Sequence, residues 1–263
     1  MKIATWNVNS IRSRLERLLR WLVKTEPDVV CLQELKAKDE AFPYEPIREA
    51  GYHAAVHGQK TYNGVAILSR SQPVDVVCGL GDGVDDPQAR LVAARVDDVH
   101  IISAYVPNGQ SVGSEKWTCK LQWMRRLREY LERRFDPSVP LVLCGDFNVA
   151  RDDLDVANRA QWAETVLCHQ EGRQALEDMR GWGLTDVFRK HHPEGGIYSW
   201  WDYRMLAFPK NNGLRIDYIF ATEPMTTRCT RAEIDRDERK GQKPSDHAPV
   251  LSVFAQASSV DPP

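Results

Sequence analysis

The chain has 263 residues, with 35 Lys and Arg against 37 Asp and Glu, for a formal net charge of −2. At 42% hydrophobic and 27% charged the composition is that of an ordinary soluble globular protein, which excludes a disordered, collagenous or coiled-coil chain. No apolar run approaches the roughly 18 residues of a membrane span, and the near-neutral charge means that any nucleic-acid partner must be met by local basic patches.

Residues 2–8 read as a strand, and nothing before them resembles the apolar core of a secretory signal. Ser10 caps a helix that places Ile11, Leu15, Leu18, Leu19 and Leu22 on one face. Pro27 ends that unit. Asp28 to Leu32 is a continuous apolar strand running into Gln33-Glu34, so the chain opens with a βαβ-like unit. Further strands are read at 64–69, 91–96 and 100–106. Glu115 to Phe135 is a long basic helix with Leu121, Met124, Leu127 and Leu131 turned inward. A buried strand follows at 140–145, then a helix at about 172–182 and closing strands at 215–221 and 249–254. No linker or composition shift divides these elements, so residues 1–256 are expected to form one domain of packed sheets with helices outside. The tail 257–263 is expected to be disordered.

Six cysteines, Cys31, Cys78, Cys119, Cys144, Cys168 and Cys229, lie far apart with no C-x-x-C pair. That argues against a zinc site and for a reducing, cytoplasmic location. Cys31 and Cys144 sit in apolar runs and read as core thiols.

The informative feature is where the polar residues fall. Strand after strand begins or ends in an acid or amide: Asn7 and Asn9, Glu34, Asp146 and Asn148, Asp217, and the Ser245-Asp246-His247 turn. Buried carboxylates are rare unless paired or metal-bound. Taken singly, each has a plainer reading. Asp246-His247 suits a cap, Gly145-Asp146-Phe147-Asn148 a tight turn, and Tyr105 a core aromatic. If the strand ends converge, they form an oxygen-rich pocket with one histidine, which suits Mg²⁺ or Mn²⁺ rather than zinc.

Trp6-Asn7-Val8-Asn9, Leu32-Gln33-Glu34-Leu35-Lys36, Tyr62-Asn63-Gly64, Tyr105-Val106-Pro107-Asn108, Gly145-Asp146-Phe147-Asn148, Ser199-Trp200-Trp201, Leu214-Arg215-Ile216-Asp217 and Ser245-Asp246-His247 occur in that order. This series resembles the exodeoxyribonuclease III family, Mg²⁺-dependent abasic-site endonucleases and 3′-to-5′ exonucleases of base-excision repair. The resemblance implies a four-layer α/β sandwich, two mixed sheets flanked by helices. It implies a metal site at Asn7, Glu34, Asp146, Asn148 and Asp246. Asp146 matches the acid that orders the attacking water, Asn148 the amide beside it, Asp217 and His247 an acid–histidine pair, and Tyr105 a phenol near the scissile phosphate. Asn9 departs from relatives that have Asp there and lowers the pocket's negative charge by one.

The partner implied is double-stranded DNA with abasic sites or 3′ ends, met by a monomer. Lys36, Asn63, Arg90, Asn108 and Lys116, on loops beside the site strands, are candidate phosphate contacts. Trp200 and Trp201 read as neighbours on one strand, pointing to opposite faces, so that one is core; Trp200 matches a pocket aromatic, and Phe208 and Met205 are candidates for insertion beside the lesion. The arginines of the two long helices read mostly as solvated faces. An end-specialised 3′-to-5′ exonuclease or 3′-phosphatase is the alternative, with Gln110 and His169 as bulky groups that would favour free ends. Action on another phosphate ester, or damage binding without catalysis, fits the motif set less well.

Overall fold

The structure, a computed structural model, describes residues 1–256. The expected disordered tail, 257–263, lies outside the described residues. In chain order the elements are β1 (Lys2–Asn7), α1 (Ile11–Thr25), β2 (Val29–Gln33), α2 (Tyr44–Glu49), β3 (His53–His57), β4 (Val65–Ser69), β5 (Val74–Cys78), β6 (Leu91–Val96), β7 (Val99–Tyr105), α3 (Glu115–Arg134), β8 (Leu141–Asp146), α4 (Arg159–Trp162), α5 (Gln170–Arg180), β9 (Thr185–Asp186), α6 (Val187–His191), β10 (Asp217–Ala221), α7 (Glu223–Thr226), β11 (Cys229–Ile234) and β12 (Val250–Phe254).

The strands form two six-stranded sheets, ordered β11-β12-β1-β2-β4-β3 and β5-β6-β7-β8-β10-β9. Both are mixed: β1–β2 and β7–β8 run parallel, while their other neighbours run antiparallel. Side chains alternate across a strand, and here both faces are apolar. Ile3, Val29, Cys31 and Ile67 of the first sheet meet Val92, Ile101, Val142, Cys144 and Ile219 of the second. On the outer face of the first sheet, Ala4, Trp6, Val30 and Leu32 pack under Ile11, Leu18, Trp21 and Leu22 of α1. On the outer face of the second, Leu141, Leu143 and Phe220 pack under Met124, Leu127 and Leu131 of α3 and Leu176 and Met179 of α5. The result is helix, sheet, sheet, helix, as the resemblance implies.

The strands absent from the sequence reading are β3, β5, β9 and β11, and all four are sheet edges. Edge strands are partly solvated and need no continuous apolar run. β5 and β11 also carry register shifts that blur their period. Two other expectations are corrected. Trp200 and Trp201 lie outside any strand, Trp200 making only isolated bridges to Leu214 and His247. Arg17 is not on a solvated face: it is buried and holds Glu238 and the carbonyls of Lys240 and Gln242.

Arg215, just before β10, is fully buried. Its guanidinium bonds both oxygens of Asp155, at 2.6 and 3.0 Å, and both of Asp186, at 3.2 and 2.7 Å. Arg189 adds a bond to Asp155. This pins the entry to β10 two residues before Asp217. Removing one member of a buried ion cluster leaves an uncompensated charge, at a cost of about 3–5 kcal/mol. Arg215→Met is therefore expected to lower unfolding free energy in urea by about that much. A loss below about 1 kcal/mol would show that the cluster does not anchor the strand.

Candidate active site

The site forms where the sheets share one edge. Asn7 ends β1, Glu34 follows β2, Tyr105 ends β7, Asp146 ends β8, Asp217 begins the antiparallel β10, and His247 precedes β12. In the second sheet, Asp146 is in register with Tyr105 on one side and Asp217 on the other. The preceding Gly145 is required for that ladder: a Cβ there would lie 1.9 Å from the Ala104 carbonyl oxygen. Several non-glycine residues at this edge hold left-handed backbone: Asn9, Glu34, Lys36, Asn63 and Asn148, at φ between 44° and 55°. Such clustering is a mark of functional loops held by their surroundings.

Asn7 links the two sheets. Its Nδ2 donates to Glu34 Oε1 and Asp146 Oδ2, both at 2.9 Å, while its Oδ1 accepts from the Asn9 N–H at 2.9 Å. Asn7 thus bridges the two acids. Lys36, expected on phosphate, turns inward: its Nζ lies 2.9 Å from Glu34 Oε2 and donates to Asn9 Oδ1 at 2.6 Å. Burial works to raise the Glu34 carboxyl, but Lys36 and Asn7 hold it below its ordinary range.

His247 Nδ1 bonds Asp217, 2.9 Å from Oδ2, and Nε2 lies 3.7 Å from Asp146 Oδ2. Burial pulls the imidazole down, yet Asp217 and Asp146 outweigh it and push it up to about 10. Burial raises Asp146 to about 7, with Asp217 adding to the effect and His247 opposing it. Asp217 is aimed by Ser199, whose Oγ donates to Oδ2 at 2.6 Å and accepts from the Ile216 and Asp217 N–H groups.

Glu34, Asp146 and His247 bring their ligand atoms within 4.8 Å of one another. A protonated imidazole has no lone pair to give, so the carboxylates are the natural donors. Two carboxylates that converge on one point, one of them already drawing the Lys36 ammonium, suit a hard divalent cation. Asp246 stands outside this group. Its oxygens accept from Asn9 Nδ2 at 2.9 Å and Trp200 Nε1 at 3.0 Å, so this acid orients the pocket tryptophan. Asn148 donates to the Val106 carbonyl, accepts from Asn108 Nδ2, and its N–H reaches Asp146 Oδ1.

Among the other candidates, Trp200 is half-buried and meets Trp162 edge-on at 5.5 Å, beside Leu214. Arg90 stacks on the Tyr105 ring at 4.9 Å and donates to its carbonyl. Asn63 is buried against Gln59, while Lys116 is exposed in the first turn of α3. Phe208 is not a free wedge. It packs against Trp201 and lies under Arg236 at 4.1 Å and Arg239 at 5.0 Å. The protruding apolar tip is Met205, 84% exposed, with Leu206, 67% exposed. His169 caps α5 and meets Trp117 edge-on, and Gln110 is exposed. Ser199, Trp162 and the buried amine of Lys120 were missed as site residues. Of these, Lys120 alone carried a signal: a charge on the inward side of a helix.

A profile of the endonuclease/exonuclease/phosphatase family matches residues 4–247. The chain is 38% identical to exodeoxyribonuclease III of Haemophilus influenzae, across 97% of this chain and all of that one. It belongs to the endonuclease/exonuclease/phosphatase family, in the exodeoxyribonuclease III branch. Two solved structures superpose closely. An AP endonuclease from Archaeoglobus fulgidus gives a TM-score of 0.94 at 41% identity, covering 97% of this chain and 99% of that one. A 3′-5′ exonuclease from Neisseria meningitidis gives 0.93 at 42% identity, covering 97% and 100%. The chain is thus a hydrolase of nuclease type, and no described helix is long and apolar enough to cross a membrane. The shared edge described above is what this family has to work with here: two acids for a cation and a carboxylate-held histidine.

Asp217→Asn should drop the His247 imidazole from about 10 toward its ordinary value near 6.5, read by NMR titration of the ring protons. A ring that still titrates near 10 would mean that Asp217 is not what charges it.

Proposed function

We propose that this protein is a Mg²⁺-dependent DNA phosphodiesterase of base-excision repair. It cuts duplex DNA 5′ to an abasic site, leaving a 3′-hydroxyl and a 5′-deoxyribose phosphate, and it removes nucleotides from 3′ ends. The observation that carries this reading is Asp146, set by strand register between Tyr105 and Asp217, within reach of Glu34 and His247, with Trp200 on the neighbouring wall.

Each group suits one task in attacking a phosphodiester. Asp146, raised to about 7 by burial, takes a proton from the attacking water near neutral pH. The Asn148 amide holds that water or the phosphate. The His247 cation donates from Nε2 to a non-bridging phosphate oxygen, whose charge grows in the transition state. Burial, with Glu34 and Asp146 nearby, pushes the Tyr105 phenol well above its ordinary range, so it stays protonated and donates. Glu34 and Asp146 would hold the Mg²⁺, which would supply Lewis-acid charge at the phosphate. Trp200 offers a face to an extruded base-free sugar. Asn108, Arg90, Asn63 and Lys116 serve the flanking phosphates and Met205 the lesion flank, by contacts that carry no sequence information. The enzyme acts as a cytoplasmic monomer, with residues 1–256 as its one catalytic domain.

A second reading, an exonuclease specialised for ends, is favoured by His169 and Gln110. Both flank the loops of Asn108 and Asn148, and the Neisseria meningitidis relative is a 3′-5′ exonuclease. Gln110→Ser and His169→Gly should raise the ratio of internal to end cleavage if these side chains exclude continuous DNA. An unchanged ratio discards that role.

The deciding assay is a labelled duplex with one central tetrahydrofuran analogue and protected ends, in Mg²⁺. One incision 5′ to the analogue, lost with EDTA and lowered at least about 100-fold by Asp146→Asn, supports the main reading. Shortening from unprotected 3′ ends without internal incision supports the second, and no cleavage of either DNA rejects both. In the same assay, kcat/KM should fall near pH 10 as His247 loses its proton. A profile that stays flat to pH 11 would exclude that assignment.

A further inference from the structure

Lys120 lies in the second turn of α3 with no exposed surface. Its Nζ donates to three main-chain carbonyls: Asn108 at 3.1 Å, Asn148 at 2.7 Å and Val166 at 2.6 Å. An ammonium has three donors, and each has one acceptor here. The acceptors belong to three separate loops, after β7, after β8 and before α5. Each loop carries a residue of the proposed site or its rim: Asn108, Asn148 and His169. The contact is close along the whole side chain, since a Cβ on Gly109 would come within 3.0 Å of Lys120 Cδ.

The consequence falls on Asn148. Its N–H is held by Asp146, its Oδ1 by Asn108 and one Nδ2 proton by Val106. Its carbonyl is held by Lys120. An amide nitrogen has two donors, so one N–H of Nδ2 is left to meet a water or phosphate oxygen. Three of the four ties come from neighbouring loops or strand ends. The fourth comes from α3, which is packed on the second sheet by Met124, Leu127 and Leu131. A side chain that only filled space would need no ammonium, and burying one without partners would be costly.

We propose that Lys120 is a positioning residue for the reaction: it fixes the Asn148 main chain against the loops after β7 and before α5, and so aims the free N–H of the Asn148 amide. This inference rests on the function proposed above. Positional errors of about 1 Å at a reacting group can cost about 100-fold in rate. Lys120→Met keeps length but no donors, and Lys120→Gln keeps two.

The test measures kcat and KM for incision of the tetrahydrofuran duplex, with folding of each variant checked by thermal melting. Lys120→Met should lose about 100-fold in kcat, Lys120→Gln less, with KM within threefold of wild type in both. Lys120→Met should add little to the loss already caused by Asn148→Ala, because both act through one amide. A kcat within threefold of wild type in folded Lys120→Met, or losses that multiply in the double variant, overturns the proposal. If Lys120→Met does not fold, Lys120→Gln decides by the same criterion: reduced kcat at constant KM supports, wild-type kcat overturns. Should the wild type cut neither internal sites nor ends, the functional reading itself falls; if the wild type cuts and the variants match it, only the role of Lys120 does.

Discussion

Burying carboxylates demands positive charge or hydrogen-bond donors at close range, and the whole catalytic edge of this protein answers that demand. Asp146 and Asp217 are fully buried and sit opposite each other in one ladder. Two like charges so placed in a low-dielectric interior would repel strongly. The imidazole of His247 stands against both and is itself charged by them. Glu34 meets the same need with Lys36. Remove the cationic partners and the buried acids stand unneutralised; remove the acids and the imidazole loses what holds its charge.

The scaffold makes that arrangement possible by putting strand ends, not loops alone, under the site. Backbone register sets Tyr105, Asp146 and Asp217 side by side, and a bridging amide, Asn7, fastens the first sheet to the second at the same edge. Around them the backbone turns through left-handed positions that ordinary residues avoid. The buried Arg215 cluster and the three-way bond of Lys120 lie just beyond, at the points where the supporting segments enter.

A polar chain also connects the acid side to the aromatic side. Glu34 meets Lys36, Lys36 donates to Asn9, Asn9 to Asp246, and Trp200 donates to Asp246. The amide at position 9 matters here. A carboxylate in its place would face Asp246 at hydrogen-bond distance without a proton to share, whereas Asn9 accepts on one side and donates on the other.

Strand interiors, the long amphipathic helices and the residues at the strand ends were legible in the amino-acid sequence, because apolar runs and periodicity are local properties. The ordered motif series identified the family for the same reason: it is a matter of residue type and order. The edge strands were not legible, since a half-solvated strand needs no distinctive pattern. Nor were the roles inside the site. That Asp246 orients Trp200 and stands outside the Glu34–Asp146 pair, that Lys36 folds back on Glu34, that Phe208 is clamped by two arginines while Met205 and Leu206 protrude, and that Lys120 ties three loops were all decided by tertiary structure. Which donor meets which acceptor depends on distances between residues remote in the chain, and only the packing of two sheets sets those.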